Sequence, residues 1–442
     1  MGLRPGGEGV PPLLRNTRGA SAEGTLTDLP PPVRRNAAGT LFFARSVYAF
    51  NWYNVGAVLP LVGSALGATT PQLGIVLGSF LAGAGVFQLP AGFAALRWGN
   101  RTVSIAALAI MGVFCLASAF SPNWIVLAIL RFGAGAGAAF FFAPGLGLVA
   151  SYYPVGSRGP IVGLYNAGFS IGSGVGLFAG AFIGAVLGWS WALAIGGIAL
   201  LVAMALAPLI LPVTETLPSR RTLGELWAAS RPVLRSRDLW ALSLSYMGLW
   251  TAFYVAAQFF VQYAHSVHPG WTLALAAGLP TLMIAVEVLG GPLGGWLGER
   301  QMDMRVLLVV FGAGAGVAVL LIPFAGLDAL VGVFAALGFL DGATFAVMYL
   351  LPTYLPETRE EGLSLGLGLL NAIQIFVGSG LAIAFAFIAT YAGYTDAWIL
   401  AGLFGIAPLP LLLLVRGHLS PPPTKAVRDA SVRPVVPTDR PA

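Results

Sequence analysis

Three ionisable side chains lie inside long apolar stretches of this 442-residue chain: Arg131, Glu287 and Asp341. A charge at the centre of a lipid bilayer costs about 2.5–3.5 kcal/mol on insertion scales, so such residues usually face a bundle interior or a water-filled path. An arginine can bind a carboxylate through a forked pair of hydrogen bonds, and a carboxylate shielded from water can exchange protons near neutrality. The three residues predict an internal path for an anion and a proton, although each could instead make an ion pair or hydrogen bond between helices.

Uncharged polar residues recur at helical spacing in the same kind of stretch, which places them on one face of each predicted helix. We expect Arg131 to bind a carboxylate-like group of a cargo, while Glu287 and Asp341 are candidate proton carriers. The remaining candidates for cargo binding are Tyr48, Asn51, Asn54, Asn166, Tyr254, Gln258, Asn371 and Gln374. Each Asn or Gln could equally be a hydrogen bond that only holds two helices together.

The composition indicates that these residues are positioned by membrane helices. The chain is 57% hydrophobic and 9% charged, with a mean hydropathy of +0.84, so it has too little polar surface for a water-soluble globule. Its 59 glycines suit closely packed transmembrane helices. The net charge of +6 follows the membrane topology, so we expect a bilayer and no nucleic acid as partner.

Twelve stretches are long and apolar enough to cross about 30 Å of hydrocarbon. They are residues 40–66, 72–96, 103–121, 124–152, 160–187, 189–212, 239–264, 272–298, 305–324, 328–355, 361–390 and 395–415. Arginines concentrate in both tails, in the 96–102 turn and in the 213–238 connector, whereas the opposite turns contain no Lys or Arg. The positive-inside rule therefore predicts cytoplasmic termini in a multi-pass protein of the cell membrane.

The second half of the chain repeats the first at a spacing of about 205 residues. Gly92 and Arg97 correspond to Gly295 and Arg300, and Asn166 corresponds to Asn371. We expect a disordered tail (1–38), an N-terminal six-helix lobe (39–212), a cytoplasmic connector (213–238), a C-terminal six-helix lobe (239–416) and a second disordered tail (417–442).

The chain resembles the major facilitator superfamily over residues 40–415. The motifs that carry the resemblance are "GFAALRWGNR" (92–101), its copy "GGWLGERQMDM" (294–304) and "LRFGAGAG" (130–137). The resemblance implies an all-α membrane protein with twelve transmembrane helices in two pseudo-symmetric six-helix lobes. It also implies secondary transport by alternating access. We expect a small polar or anionic organic solute as cargo and coupling of its transport to protons.

Two other functions stay open at this point. The first is a proton-coupled exporter of cationic or lipophilic drug-like compounds, in which the two acids attract the cargo. The second is a membrane receptor or scaffold that uses the fold without transport. The sequence has no P-loop of the G-x-x-x-x-G-K-[ST] kind, and its close histidine pair, His265 and His268, has no further metal ligands nearby. We therefore expect no enzyme activity, no cofactor, no metal and a monomer.

The first motif lacks an acid that the superfamily places at its cytoplasmic turn, where Leu96 stands instead. We expect the gate to involve Arg97, Arg101, Glu299 and Arg300. In the superfamily this acid faces the positive end of a helix in the opposite lobe. Glu299 is therefore predicted to hold the gate alone, against the start of the fifth crossing near 157–159, although it could be a solvated loop acid.

Overall fold

The computed structural model describes residues 29–153, 158–213, 223–300, 303–355 and 362–416. Most of both predicted tails lies outside these residues. The described part is built from α-helices joined by short turns. The helices are α1 (Pro31–Ala57), α2 (Leu59–Leu66), α3 (Thr70–Trp98), α4 (Asn100–Ser118), α5 (Trp124–Ser151), α6 (Arg158–Leu187), α7 (Trp189–Ile210), α8 (Leu223–Arg235), α9 (Arg237–Val267), α10 (Leu273–Glu299), α11 (Met304–Leu321), α12 (Leu327–Leu350), α13 (Gly362–Tyr391) and α14 (Tyr394–Ile406).

The twelve predicted crossings correspond to these helices, and the predicted fold class is confirmed. Among the described residues, eleven helical segments are long and apolar enough to span a membrane. The remaining crossing, predicted at 40–66, is formed by α1 and α2, which are separated at Val58 because Pro60 falls in the first turn of α2 and has no N–H to donate. α8 lies in the connector.

One predicted boundary is wrong. Helix α1 begins at Pro31, so residues 31–38 belong to a helix and not to a disordered tail. A proline suits the first turn of a helix, where its missing N–H would have no intrahelical acceptor. Ala37 and Ala38 are buried, so the helix already packs against the protein at this point. Residues 1–28 are outside the described part.

Both described ends of the chain lie on one side of the helical bundle, which we call the terminal side; the opposite side is the far side. The N–H of Arg416 donates to Asp238 at the start of α9, at 3.2 Å. The hydroxyl of Tyr153, just after α5, donates to the carbonyl of Arg34 at 3.2 Å. These contacts join chain ends and helix ends that the predicted topology places together.

Each lobe is built on one very close helix pair, and the two pairs are equivalent in the internal repeat. In the N-terminal lobe α3 packs on α5, and in the C-terminal lobe α10 packs on α12. A side chain at Gly83 or Gly135 would collide with the backbone of the partner helix, as it would at Gly290 or Gly338. Glycine therefore sets the approach of these helices, as expected where packing and not hydrophobicity drives association in a membrane.

Among the described residues, the two lobes meet where α3 contacts α13, where α6 contacts α10, and where α1 and α2 contact α9. Glycines of α3 again permit the contact. Gly74 lies against Ala386, and Gly78 against Ile383. These residues are on the far-side half of α3, so the lobes are in close contact there.

Candidate functional site

Aromatic residues, mainly from α1, lie on the N-terminal side of the lobe interface. Trp52 packs edge-on against Phe80 of α3, with ring centroids 4.8 Å apart, and Tyr48 and Tyr53 contact Phe169 of α6 at 6.2 and 6.3 Å. Tyr53 also faces Tyr254 of α9 across the lobe interface at 6.0 Å. Tyr254 itself stacks on Trp250 at 5.5 Å. Of the predicted cargo residues, Tyr254 thus meets the opposite lobe through Tyr53, whereas Tyr48 packs within the N-terminal lobe.

The two predicted proton carriers lie close together on neighbouring helices of the C-terminal lobe. Gly342, next to Asp341 on α12, is pressed against the backbone of Glu287 on α10. The two carboxyl groups interact electrostatically, and both also act on Tyr53 of the N-terminal lobe. Asp341 is only 2% exposed, and its Oδ1 has no hydrogen-bond partner among the described residues. The site therefore holds a paired acid beside the lobe interface.

Arg131 has a different environment from the one expected. It is 1% exposed and points into its own lobe, where its Nη2 donates to the carbonyl of Asn51 at 3.1 Å. Its Nη1 lies 3.8 Å from the Cys115 sulfur of α4, and its guanidinium is 4.3 Å from the Phe80 ring centre. In this conformation Arg131 makes a hydrogen bond between helices. This is the alternative to cargo binding that the sequence left open for it.

Asn51 and Asn54 also bond within the N-terminal lobe. The Asn51 side chain donates to the carbonyls of Val47 and Gly196, each at 2.9 Å, and the Asn54 side chain donates to that of Ala192 at 3.1 Å. Both asparagines therefore tie α1 to α7. The predicted polar face of the first crossing is real, but it points at a neighbouring helix.

On the C-terminal side, Asn371 and Gln374 of α13 come together with Tyr349 of α12. The Gln374 amide donates to the Tyr349 hydroxyl at 3.1 Å and to the Asn371 side-chain oxygen at 2.5 Å, and the Tyr349 hydroxyl donates to the same oxygen. We call these residues the Tyr349 cluster. Tyr349 was missed from the sequence because it lies near the terminal end of its helix, away from Asp341.

The other two cargo candidates differ in placement. The Gln258 side chain of α9 donates across the lobe interface to the carbonyl of Trp52, at 2.6 Å. Asn166, on the terminal-side part of α6, is exposed and is not brought to the acid pair. Gln258 is thus part of a contact between lobes.

A second buried arginine was underestimated at the sequence level. Arg45 lies within the first predicted crossing and was not among the predicted site residues, and only 3% of it is exposed. Its guanidinium carbon lies 4.6–5.2 Å from four aromatic ring centres, those of Tyr48, Phe142, Tyr165 and Phe169. The aromatic residues spaced along the first and fifth crossings were the available signal.

The predicted gate is only partly described. Arg101 donates to the carbonyls of Pro208 and Leu211, so it joins α4 to the end of α7 within one lobe. Arg97 lies over Trp98 at 5.8 Å, and Arg300 over Trp296 at 3.6 Å. The Glu299 side chain and residue 157 lie outside what the structure describes. Among the described residues there is also no group of three or more His, Cys, Asp or Glu able to hold a metal ion.

Comparison with known proteins places this architecture. The sequence profile of the Major Facilitator Superfamily matches residues 41–372. A gallate transporter of Pseudomonas putida is 27% identical over 414 residues, covering 84% of this chain and 89% of that protein. The 4-hydroxybenzoate transporter PcaK of Acinetobacter baylyi is 30% identical over 158 residues, 36% of this chain and 35% of that protein.

The fold also matches solved structures. A bacterial homolog of the human lysosomal transporter Spinster, in an inward-facing and unoccupied conformation, superposes with a TM-score of 0.66 at 17% identity. The superposition covers 88% of this chain and 97% of that one. At this identity the likeness shows a shared fold.

Proposed function

Because the chain belongs to the Major Facilitator Superfamily, we propose that it moves a small organic anion across the membrane by alternating access, coupled to protons. The observation that carries the proposal is the acid pair Glu287 and Asp341, which lies beside the lobe interface and acts on Tyr53 of the opposite lobe. A proton on this pair and a cargo between the lobes would bias the same rearrangement of the lobes, which is the requirement for coupling.

The cargo class is supported by the aromatic residues at the lobe interface and by the relatives. Gallate and 4-hydroxybenzoate, the compounds in the names of the two relatives, are hydroxylated aromatic carboxylates. The lobe interface has aromatic rings on both sides: Tyr53 of α1 contacts Tyr254 of α9, Tyr254 stacks on Trp250, and Trp52 packs against Phe169 next to them. Aromatic rings prefer offset or edge-on contact with another ring, so such an interface suits a flat aromatic acid.

The positions of the contacts between the lobes indicate which side of the membrane this conformation closes. The close interlobe contacts of α3 and the Gln258 bond lie in the far-side half. With the terminal side assigned to the cytoplasm by its arginines, the far side is external and this conformation is closed toward it. Arg97, Arg101 and Arg300, with Glu299, are proposed to act in closing the cytoplasmic side in the alternate state.

Uptake into proteoliposomes tests the function. Purified protein is reconstituted, and accumulation of labelled 4-hydroxybenzoate is measured with and without an imposed pH gradient. Accumulation that needs the gradient supports proton-coupled anion transport. The competing function, export of cationic or lipophilic compounds, predicts no response to 4-hydroxybenzoate and gradient-dependent movement of a lipophilic cation such as ethidium. That second pattern would replace the proposal.

A further inference from the structure

Arg45 sits in a cage of four aromatic rings that come from three helices of the N-terminal lobe. Tyr48 belongs to α1, Phe142 to α5, and Tyr165 and Phe169 to α6. An arginine is attracted to the faces of aromatic rings, and the attraction grows when the pair is removed from water. The rings therefore hold the guanidinium in place without neutralising its charge.

The cage contains donors that lack acceptors. Among the described residues, Nε and Nη1 of Arg45 are buried without a hydrogen-bond partner, and so is the hydroxyl of Tyr165. Arg45 also has no carboxylate in salt-bridge distance among those residues. A buried donor without a partner costs about 1–3 kcal/mol, and more when it is charged. Such an arrangement is unfavourable unless an acceptor from outside occupies it during the working cycle.

Arg131, the other buried arginine of the lobe, makes the contrast clear. It is equally buried and its Nε also lacks a partner among the described residues, but its Nη2 and Nη1 contact the Asn51 carbonyl and the Cys115 sulfur. Its bonds belong to the lobe itself, so an anion that recruited Arg131 would first have to break them. Arg45 makes no described hydrogen bond to a backbone carbonyl, so an anion at its Nε and Nη1 would compete only with the neighbouring Tyr48 hydroxyl.

We propose that Arg45 and Tyr165 form the anion-binding subsite for an aromatic carboxylate, with the cage rings of Phe142 and Phe169 contacting the ligand's ring. Nε and Nη2 lie on one edge of the guanidinium and can present N–H groups to the two oxygens of a carboxylate, while Nη1 supplies a donor on another edge. The Tyr165 hydroxyl supplies a further donor. This inference rests on the proposed function, because it names the residue that receives the anion.

The subsite also has a counterpart in the C-terminal lobe. Arg45 is near enough to Tyr349 of the Tyr349 cluster for its positive charge to act on that hydroxyl. Both lie on the terminal-side part of their helices, while the acid pair lies nearer mid-membrane. An anion that entered from the terminal side would reach Arg45 before the acids, which separates anion binding from proton binding along the path.

The test is the affinity of the full-length purified protein for 4-hydroxybenzoate, measured by titration calorimetry, with the thermal shift as a second readout. We expect Arg45→Gln to weaken binding at least tenfold and to abolish the ligand-induced thermal shift. Arg45→Lys keeps the charge but not the fork, so it should recover only part of the affinity. Arg35→Gln is the matched control, since it removes an exposed arginine from the same helix and should leave the affinity within twofold.

Ligand variation on the wild-type protein keeps the proposal testable if the Arg45 variants do not fold. The carboxylate should bind at least tenfold more tightly than 4-hydroxybenzamide, which has the same ring but no charge. Equal affinity for acid and amide would overturn the subsite. Wild-type affinity in folded Arg45→Gln would also overturn it, and in that case intact 4-hydroxybenzoate uptake by the wild type would leave the proposed function standing. Absence of both binding and uptake in the wild type would instead reject the function.

Discussion

The side-chain amide of Gln258 in α9 donates a 2.6 Å hydrogen bond to the backbone carbonyl of Trp52 in α1, directly beside Gly56. This bond joins the two lobes on the far-side half of the membrane. A side chain at Gly56 would collide with both the side chain and the backbone of Gln258, so the glycine is what allows the approach. Because the bond crosses the interface that must open, it stabilises one state of the transport cycle and not the other.

Gln258→Leu should shift the protein toward the state that is open on the far side. The substitution keeps most of the volume but removes a bond worth about 0.5–1.5 kcal/mol, which corresponds to a change in population of about twofold to tenfold. Spin labels at Ser64 and His265, both exposed on the far side, would report longer distances. Cys115 is buried, so labelling can be confined to introduced cysteines.

Gln262→Leu, one turn further along α9, is the control for that change. The side-chain oxygen of Gln262 has no partner among the described residues, so the variant removes no described bond between lobes. Its distance distribution should match that of the wild type. If Gln258→Leu and Gln262→Leu give the same distance distribution, the bond between Gln258 and Trp52 does not stabilise the closed state.

Gly56→Ala should have a larger effect on the same equilibrium. The added methyl group meets Gln258 in the closed state, and overpacking of this kind costs about 1–3 kcal/mol. The closed state should therefore lose population by about fivefold or more, and the rate of 4-hydroxybenzoate uptake should fall with it. Gly39→Ala on the same helix is the matched control, because a methyl group there has nothing within 4 Å. Equal uptake by the two variants would contradict this role of Gly56.

The positions of the helices follow from the sequence more directly than the directions of their polar side chains. Hydrophobic length and the Gly and Pro positions give the crossings, since these properties belong to each helix alone. Whether Asn51 faces a cargo or the carbonyl of Gly196 depends on how α1 packs against α7, and periodicity identifies a polar face without identifying its neighbour. The same reason explains why Arg131 turned out to bond within its lobe and why Arg45 was overlooked.

Asn51→Ala should lower stability and leave cargo affinity unchanged. The change removes two buried hydrogen bonds, one to Val47 within α1 and one to Gly196 of α7, each with a net value of about 0.5–1.5 kcal/mol. Thermal unfolding in detergent should show a melting temperature several degrees lower, while the 4-hydroxybenzoate Kd of the folded protein stays within twofold. Asn54→Ala should do the same to a smaller extent, since it removes one such bond. A weakened Kd with unchanged stability would return Asn51 to the cargo site.

Loss of the Asp341 or Glu287 carboxylate should uncouple transport from the pH gradient, whereas loss of another acid should not. The two carboxyl groups lie on neighbouring helices held close by Gly290, Gly338 and Gly342, so the charge of one acts on the other. Asp341→Asn, or Glu287→Gln if that residue carries the proton, should leave exchange of labelled and unlabelled 4-hydroxybenzoate across proteoliposomes but end accumulation driven by a pH gradient. We place Asp341 first because it is the more buried of the two and its Oδ1 has no described partner.

Asp328→Asn is the matched control, an exposed acid in the first turn of the same helix, and it should retain both activities. Full gradient-driven accumulation in both Asp341→Asn and Glu287→Gln would remove the acid pair from proton coupling, whereas loss of exchange together with accumulation would assign the pair to cargo binding or folding.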